Sequence, residues 1–208
     1  RLGYKATRVS GSEMKRVSLT SLPVSLQMAF ETSAFSGTAV MAGWIGSVAL
    51  ASFQVVVTLG TLGFCIYYGM GAAVSVLVAN YAGRREPEAM RATAMRGYIV
   101  MLVLAACSSV LFLNWGVEII RLFTVDPTVI AVAAGLIIPL LIYQAGDATQ
   151  INFANALRGT ANVMPMLWIA FVSYILVGIP STYLLAFPLG LGVYGMVLSF
   201  SVSLFLAG

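Results

Sequence analysis

The sequence contains no histidine and only two cysteines, Cys65 and Cys107. The absence of histidine excludes imidazole acid–base catalysis and histidine-ligated metals in this chain. Both thiols lie inside apolar runs, and two scattered thiols make neither a disulfide framework nor a metal site. We therefore interpret both cysteines as small apolar packing residues.

Charged residues are also scarce, at 9% of the chain against roughly 25% in an ordinary soluble domain. Hydrophobic residues make up 60%, and the mean hydropathy is +0.97. A soluble fold of 208 residues cannot hide that much apolar surface, because much of any small domain stays exposed. The composition predicts an all-α polytopic membrane protein whose solvent is the lipid bilayer.

The net charge of +4 does not indicate a nucleic-acid partner, because the basic residues form short clusters between apolar runs. A membrane-spanning helix needs about 20 mostly apolar residues. Such stretches predict six spans, at about 20–41, 52–81, 97–113, 127–157, 165–187 and 190–208, the last cut off by the chain end. The glycine-containing segment 43–47 separates the first two spans.

Proline and glycine inside the spans predict local features. Pro139 and Pro180 are expected to kink their helices. Four glycines of the second span are expected to let neighbouring helices approach closely: Gly60, Gly63, Gly69 and Gly71.

The distribution of Lys and Arg predicts the orientation. If the N-terminal segment is cytoplasmic, the inside segments 1–19, 83–96 and 158–162 hold ten of the eleven basic residues, and only Arg121 is outside. This asymmetry follows the positive-inside rule. We expect a fragment of a longer protein, with a cytoplasmic linker at 1–19 and the six spans at 20–208.

Two acidic residues, Glu31 and Asp147, fall inside apolar spans, where an ionisable group is costly unless it is paired or hydrated. Glu31 lies 12 residues past Leu19 at the inside end of its span, and Asp147 lies 11 residues before Arg158. At 1.5 Å per residue these depths are about 18 Å and about 16 Å. Both carboxylates are therefore predicted near the bilayer midplane, at almost the same level.

Polar residues accompany both acids at helical spacing. Gln27 and Thr38 share a helical face with Glu31, and Tyr143 and Gln150 share one with Asp147. Asn155 lies further round the helix that carries Asp147. Carboxylate, phenol and amide oxygens are hard ligands that suit a small cation, so Na⁺ at Glu31 and Asp147 is one expectation. A second expectation is that the same carboxylates bind a proton. The alternative to both is that these side chains only form structural hydrogen bonds between helices.

Several segments resemble the C-terminal lobe of the multidrug and toxic compound extrusion (MATE) transporters, of the NorM/DinF type. Residues 22–27 (LPVSLQ) followed by Phe30 and Glu31 look like the seventh helix of that family. Residues 143–148 (YQAGDA) and 156–159 (ALRG) look like its tenth helix and are the most specific element. The basic loop 83–88 (GRREPE), and Pro180 with the glycines that follow it, are similar to further parts of the lobe.

The resemblance implies a fold of twelve helices in two six-helix lobes, of which this chain holds the second, with 1–19 as the inter-lobe linker. It implies a multi-pass antiporter of the cell membrane, with the bacterial inner membrane as the expected location. The antiporter exports amphipathic cationic or aromatic drugs by alternating access. In sodium-coupled members the cation site lies on the positions matching Glu31 and Asp147, with Tyr143 nearby. Apart from Na⁺ or H⁺ no cofactor is expected, and the missing N-terminal lobe is the expected partner.

Three other functions remain as alternatives. A flippase for lipid-linked oligosaccharides of the same superfamily is expected to carry cationic side chains in its cavity, and this chain has no basic residue in mid-span. An intramembrane aspartyl protease needs two aspartates and a Gly-x-Gly-Asp, whereas residues 144–147 read QAGD and the other acid is a glutamate. A passive channel is disfavoured because no repeated pore loop is present.

Overall fold

The computed structural model describes residues 10–208, apart from the side chain of Arg16, and within that range it contains helices and no strands. The elements in chain order are α1 (Gly11–Ile45), α2 (Ser47–Arg84), α3 (Pro87–Arg121), α4 (Pro127–Gly135), α5 (Ile137–Gly159), α6 (Met164–Ala170), a π-helical segment (Phe171–Gly178), α7 (Ile179–Ala186) and α8 (Gly192–Ala207). The predicted all-α class is confirmed.

The first helix begins earlier than predicted. α1 begins at Gly11 rather than near Thr20, because Ser10 and Glu13 form a reciprocal capping box that satisfies the free amides of the first turn. The predicted linker 1–19 is therefore helical over 11–19, while its residues 1–9 lie outside the described range. Pro23, expected at the entry to the span, lies inside the helix.

A single residue joins α1 to α2, as the glycine-rich segment 43–47 predicted. Gly46 has φ 149° and ψ 171°, and α2 begins at the next residue. A φ of this value is strained for any residue with a side chain, so glycine makes the abrupt turn possible. α2 has 38 residues, which makes it about 57 Å long at 1.5 Å per residue, longer than the hydrocarbon core of a bilayer.

The fourth span is broken rather than continuous. α4 and α5 meet at Leu136 with a bend of 51°. Pro139 has no amide hydrogen to donate to the carbonyl of Gly135, which removes a helical hydrogen bond at this point. The fifth span runs from Met164 to Ala186 as predicted, but its middle is the π-helical segment, which ends two residues before Pro180.

By length and composition, three helices of the described chain can cross a membrane: α2, α3 and the run from α6 to α7. The bent pair α4 and α5 makes a fourth if it is counted as one span. α8 is apolar but has only 16 residues. α1 is long enough but falls short on hydropathy, because Gln27, Glu31 and several hydroxyl side chains lie along it. These apolar helices are those of a membrane protein, and α1 is not among the helices whose composition identifies a span.

The helix α5 lies at the centre of the lobe, against α2, α3 and α8. Its closest neighbour is α2, where Gly60, Gly63 and Gly71 face it: a Cβ at position 71 would lie 2.6 Å from Asn155 Nδ2. Gly69 is different, since nothing lies within 4 Å of its Cβ position. The predicted close approach therefore holds at three of the four glycines and is wrong at Gly69.

The interpretation of the two cysteines as packing residues is wrong. Cys65 and Cys107 are both free thiols on exposed positions of the lobe. Cys65 lies on α2 two residues before the buried Tyr67. Because residues two apart on a helix point in different directions, one of the two can be buried while the other is exposed. Apolar surroundings in sequence do not distinguish a lipid-facing position from a buried one.

Candidate functional site

A cavity of about 340 Å³ opens between α1, α2 and α5. Its polar lining comes from all three helices, and α1 and α5 supply most of it. The residues that line it are Gln27, Met28, Glu31, Thr32 and Phe35 on α1, Val57, Thr61, Phe64 and Tyr68 on α2, and Tyr143, Gln150, Ile151, Ala154, Asn155 and Arg158 on α5.

Glu31 lies in the α1 wall of this cavity, half-buried. Gln27, one turn earlier, donates a hydrogen bond from its Nε2 to Glu31 Oε2 over 3.0 Å. The Oε1 of the same amide accepts a hydrogen bond of 2.7 Å from Arg158 Nη2 on α5. Glu31 is thus linked to a guanidinium across the cavity through a single buried amide.

Asp147 has different surroundings. It is only 2% exposed and does not line the cavity, although Tyr143 and Gln150, one turn before and after it on α5, both do. Its Oδ2 is buried and has no hydrogen-bond partner among the residues that the structure describes. Asp147 is close enough to Glu31 and Tyr143 for their charges to interact.

The remaining predicted residues divide into two groups. Asn155 and Gln150 line the cavity, and Asn155 also donates from Nδ2 to the carbonyl of Ile151 in its own helix. Thr38 does not reach the cavity. It is buried, and its hydroxyl donates to the carbonyl of Ala34 one turn earlier on α1.

The structure adds one tyrosine that the sequence analysis did not single out. Tyr174, on the π-helical segment, is fully buried, and its hydroxyl has no partner among the described side chains and backbone. It interacts electrostatically with Glu31, Asp147 and Tyr143, so it belongs to the same group. Nothing in an apolar run such as residues 171–178 (FVSYILVG) distinguishes this tyrosine from a packing residue, and the π geometry that turns it inward is not readable from sequence.

A second unpredicted feature is a hydrogen-bonded cluster that connects α5 to its neighbouring helices. Tyr67 and Ser108 both donate to Gln144 Oε1, over 2.8 Å and 2.5 Å, and their own oxygens lie 3.0 Å apart. This cluster joins α2, α3 and α5. Gln144 Nε2 is buried without a partner within the described chain.

Arg158 lies at a position that the sequence analysis did not predict. In the sequence it marks the inside end of the fourth span, while in the structure its side chain bends back to line the cavity. No group of three or more His, Cys, Asp or Glu side chains in the described range is arranged to hold a metal ion.

Beside the cavity, α1 and α2 expose a row of hydroxyl side chains among apolar ones such as Met28 and Leu62. On α1, Thr32, Ser33 and Ser36 point outward. On α2, Thr58 and Thr61 do so, and their hydroxyls donate to carbonyls of their own helix. Small and hydroxyl-bearing residues are enriched where helices pack against each other in membranes, so this row is suited to contact with another helix.

Comparison with known proteins gives consistent matches. The MatE family model matches residues 23–184. The multidrug resistance protein NorM of Aliivibrio fischeri is 32% identical over 192 residues, covering 90% of this chain and 42% of that protein. The multidrug resistance protein MdtK of Proteus mirabilis is 30% identical over 172 residues, covering 83% of this chain and 38% of that protein. The chain thus spans about two fifths of the length of these relatives.

The fold is shared with solved structures at low sequence identity. The crystal structure of the eukaryotic MATE transporter AtDTX14 superposes with a TM-score of 0.87 at 18% identity, covering 97% of this chain and 46% of that one. An outward-facing MATE transporter of the MOP superfamily gives a TM-score of 0.80 at 18% identity, over 92% of this chain and 42% of that one. Family model, relatives and fold agree, and the chain belongs to the MATE family of transporters.

Proposed function

We propose that this chain forms the C-terminal lobe of a multidrug exporter that exchanges amphipathic cationic or aromatic compounds for Na⁺ or H⁺. The observation that carries the proposal is a pair of carboxylates, Glu31 and Asp147, held inside apolar helices beside a cavity of about 340 Å³. Ionisable groups at such depth are costly and are typical of ion and substrate paths. The relatives, which are multidrug resistance proteins, support the drug substrates.

In this mechanism the coupling cation binds between the two acidic positions. Glu31 supplies the carboxylate that is open to the cavity, Asp147 supplies the enclosed one, and Tyr143 lies on the α5 wall one turn away. Loading removes the repulsion between two negative charges in a low-dielectric site. The cation can shift the lobe between inward-open and outward-open states only if it binds one state more tightly, and drug affinity changes reciprocally.

The exposed hydroxyl face of α1 and α2 supports the partner in this proposal. We infer that the N-terminal lobe covers this face and completes the drug cavity, because the cavity borders it and exposed Thr32, Ser33 and Ser36 are of the residue types enriched at helix–helix contacts in membranes. The basic residues support a multi-pass protein of the bacterial inner membrane with the N-terminal segment in the cytoplasm.

The flippase alternative is supported less well. Phosphate recognition favours several cationic side chains, and Arg158 is the one basic residue among the described residues that line the cavity. Its hydrogen bond is to the amide that also holds Glu31. A cavity of this charge is better suited to cations than to a lipid-linked pyrophosphate.

The test uses the full-length protein in an efflux-deficient host and a fluorescent cationic dye. Export is followed under an imposed sodium gradient and, separately, under a proton gradient. Asp147→Asn and Glu31→Gln are each expected to lower gradient-driven export by at least about tenfold, because each removes a charge that binds the ion. The gradient to which the wild type responds identifies the coupling ion.

The matched control is Glu118→Gln, which neutralises an acid on an exposed position of α3. It is expected to leave export unchanged. Full gradient-driven export by both Glu31→Gln and Asp147→Asn would show that coupling does not use this pair, and the proposed mechanism would be wrong.

A further inference from the structure

Arg158 places a permanent positive charge inside the cavity. It lies in the last turn of α5, two residues before Thr160, and its side chain lines the cavity together with Gln27 and Glu31. The guanidinium stays protonated at any physiological pH. Any cation that enters this cavity therefore meets a resident one of the same charge.

The connection from Arg158 to Glu31 has a fixed direction. Arg158 Nη2 donates to Gln27 Oε1 over 2.7 Å, and Gln27 Nε2 donates to Glu31 Oε2 over 3.0 Å. A guanidinium can only donate and an ionised carboxylate can only accept, so the amide fits between them in this orientation alone. With a charge at each end both hydrogen bonds are charge-assisted and stronger than neutral ones.

Gln27 is fixed in that position by burial, at 1% exposure. The main packing of the two helices is elsewhere: α1 packs mainly against α2, α6 and the π-helical segment, and α5 against α2, α3 and α8. Where α1 and α5 do meet, Phe35 contacts Tyr143 edge-on with ring centroids 6.4 Å apart, and the two hydrogen bonds through Gln27 add a polar connection between the helices at the cavity.

The guanidinium is incompletely bonded. Arg158 Nε is buried and has no partner in the described part of the chain. A structural ion pair of low energy would use this nitrogen as well, in a two-point contact with a carboxylate. Arg158 instead donates one hydrogen bond, to the amide of Gln27. A cation that binds at Glu31 can weaken this hydrogen bond without breaking a buried ion pair.

We propose that Arg158 is a resident counter-cation of Glu31, which neutralises this carboxylate through Gln27 when no transported cation is bound and so sets how tightly the cavity takes one. The proposal rests on the proposed function, in which Glu31 binds cations. Arg158 is a positioning residue in this scheme, since it acts on the transported ion through Gln27 and Glu31. Its removal should make the cavity a tighter cation binder.

The experiment measures the Kd of tetraphenylphosphonium, a monovalent aromatic cation, for the purified full-length protein in detergent at low salt. Arg158→Gln is expected to lower this Kd about tenfold, which corresponds to roughly 1.4 kcal/mol. Arg158→Lys keeps the charge and is expected to stay within about threefold of the wild type. Arg96→Gln, at an exposed position of α3, removes the same net charge far from the cavity and is expected to change nothing.

A double substitution separates the mechanism from general repulsion. In a Glu31→Gln background, Arg158→Gln is expected to shift the Kd by less than about threefold, because the carboxylate it neutralised is gone. A tenfold shift that persists in that background would overturn the proposal. So would equal shifts for Arg158→Gln and Arg158→Lys, since these indicate a structural role.

The two proposals can fail separately. If Glu31→Gln alone does not weaken tetraphenylphosphonium binding, Glu31 is not a cation site, and the inference falls with the proposed function. If Glu31→Gln weakens binding but Arg158→Gln leaves the Kd unchanged, the proposed function stands and the role of Arg158 is overturned. Elution of each variant as a single species in size-exclusion chromatography verifies that all of them are folded.

Discussion

The two main walls of the cavity, α1 and α5, carry one acid each and differ in how firmly they are held. α5 is packed on several sides, with glycines of α2 against it and the Tyr67–Ser108–Gln144 cluster behind it. α1 faces open space along Thr32, Ser33 and Ser36. Equal depth in the bilayer therefore does not mean equal surroundings. The acid on the firm wall is enclosed, with one oxygen, Asp147 Oδ2, left without a partner among the described residues, and the acid on the open wall accepts a hydrogen bond from Gln27.

The contact of α2 with α5 gives the largest expected effect. A Cβ at position 71 would lie 2.6 Å from Asn155 Nδ2 and 2.9 Å from Ile151 Cγ2, so Gly71→Ala forces the firm wall outward. We expect the free energy of unfolding to fall by about 2 kcal/mol. The measurement is thermal unfolding of the purified full-length protein in detergent.

Gly69→Ala is the matched control for this substitution, since it lies two residues away with nothing within 4 Å of its Cβ position. It is expected to be neutral or slightly stabilising, because alanine has the higher helix propensity. Equal losses at the two positions would show that α2 and α5 are not the firm contact described here.

The two acids give the second prediction, in which stability changes with opposite sign. Asp147→Asn replaces a buried carboxyl group, whose Oδ2 has no partner among the described residues, by a neutral side chain of the same shape. It is expected to raise the free energy of unfolding by about 1 kcal/mol while export is lost. Glu31→Gln loses a charge-assisted bond from Gln27 and is expected to lower it slightly.

The measurement is again thermal unfolding, with the ion-free protein at neutral pH. A loss of stability in Asp147→Asn would mean that the native carboxylate has stabilising partners. Asp147 and Glu31 would then differ only in how exposed they are.

Thr38 gives the smallest expected effect. Its hydroxyl donates only to the carbonyl of Ala34 in its own helix, which in a membrane helix already has a backbone partner. Thr38→Val is expected to change stability by less than about 0.5 kcal/mol and to leave dye export at the wild-type rate. An export defect would place Thr38 among the residues that reach the ion.

The fold class could be predicted from the sequence, because apolar run length identifies membrane helices, and the family from the resemblance of residues 143–148 and 156–159. Helix limits could be predicted less well: α1 and α3 extend up to ten residues beyond their predicted spans, and the fourth span is broken. Gly46 is an exception, since it breaks a long uncharged stretch where the predicted segment 43–47 placed the turn. The site could be predicted only along single helices. Spacing put Tyr143 and Gln150 on one helical face with Asp147; the first two line the cavity and Asp147 does not.

Contacts between helices could not be predicted in this way. The bridge from Arg158 to Gln27 joins residues 131 positions apart in the sequence, and no helical period relates them. The position of Asp147 behind the cavity depends on the rotation of α5 against α8, and that of Tyr174 on a local π geometry. These features follow from packing, and a single sequence carries no signal for them.

The one-residue connection at Gly46 has a consequence for how the protein enters its membrane. α1 is too polar to meet the composition of an independent span, whereas α2 satisfies it easily. With no loop between them, α1 and α2 cannot partition from the translocon one at a time. We expect them to insert as a hairpin, in which the apolar free energy of α2 offsets the cost of carrying Gln27 and Glu31 into the bilayer. Membrane insertion of the helix that carries Glu31 would then depend on its neighbour.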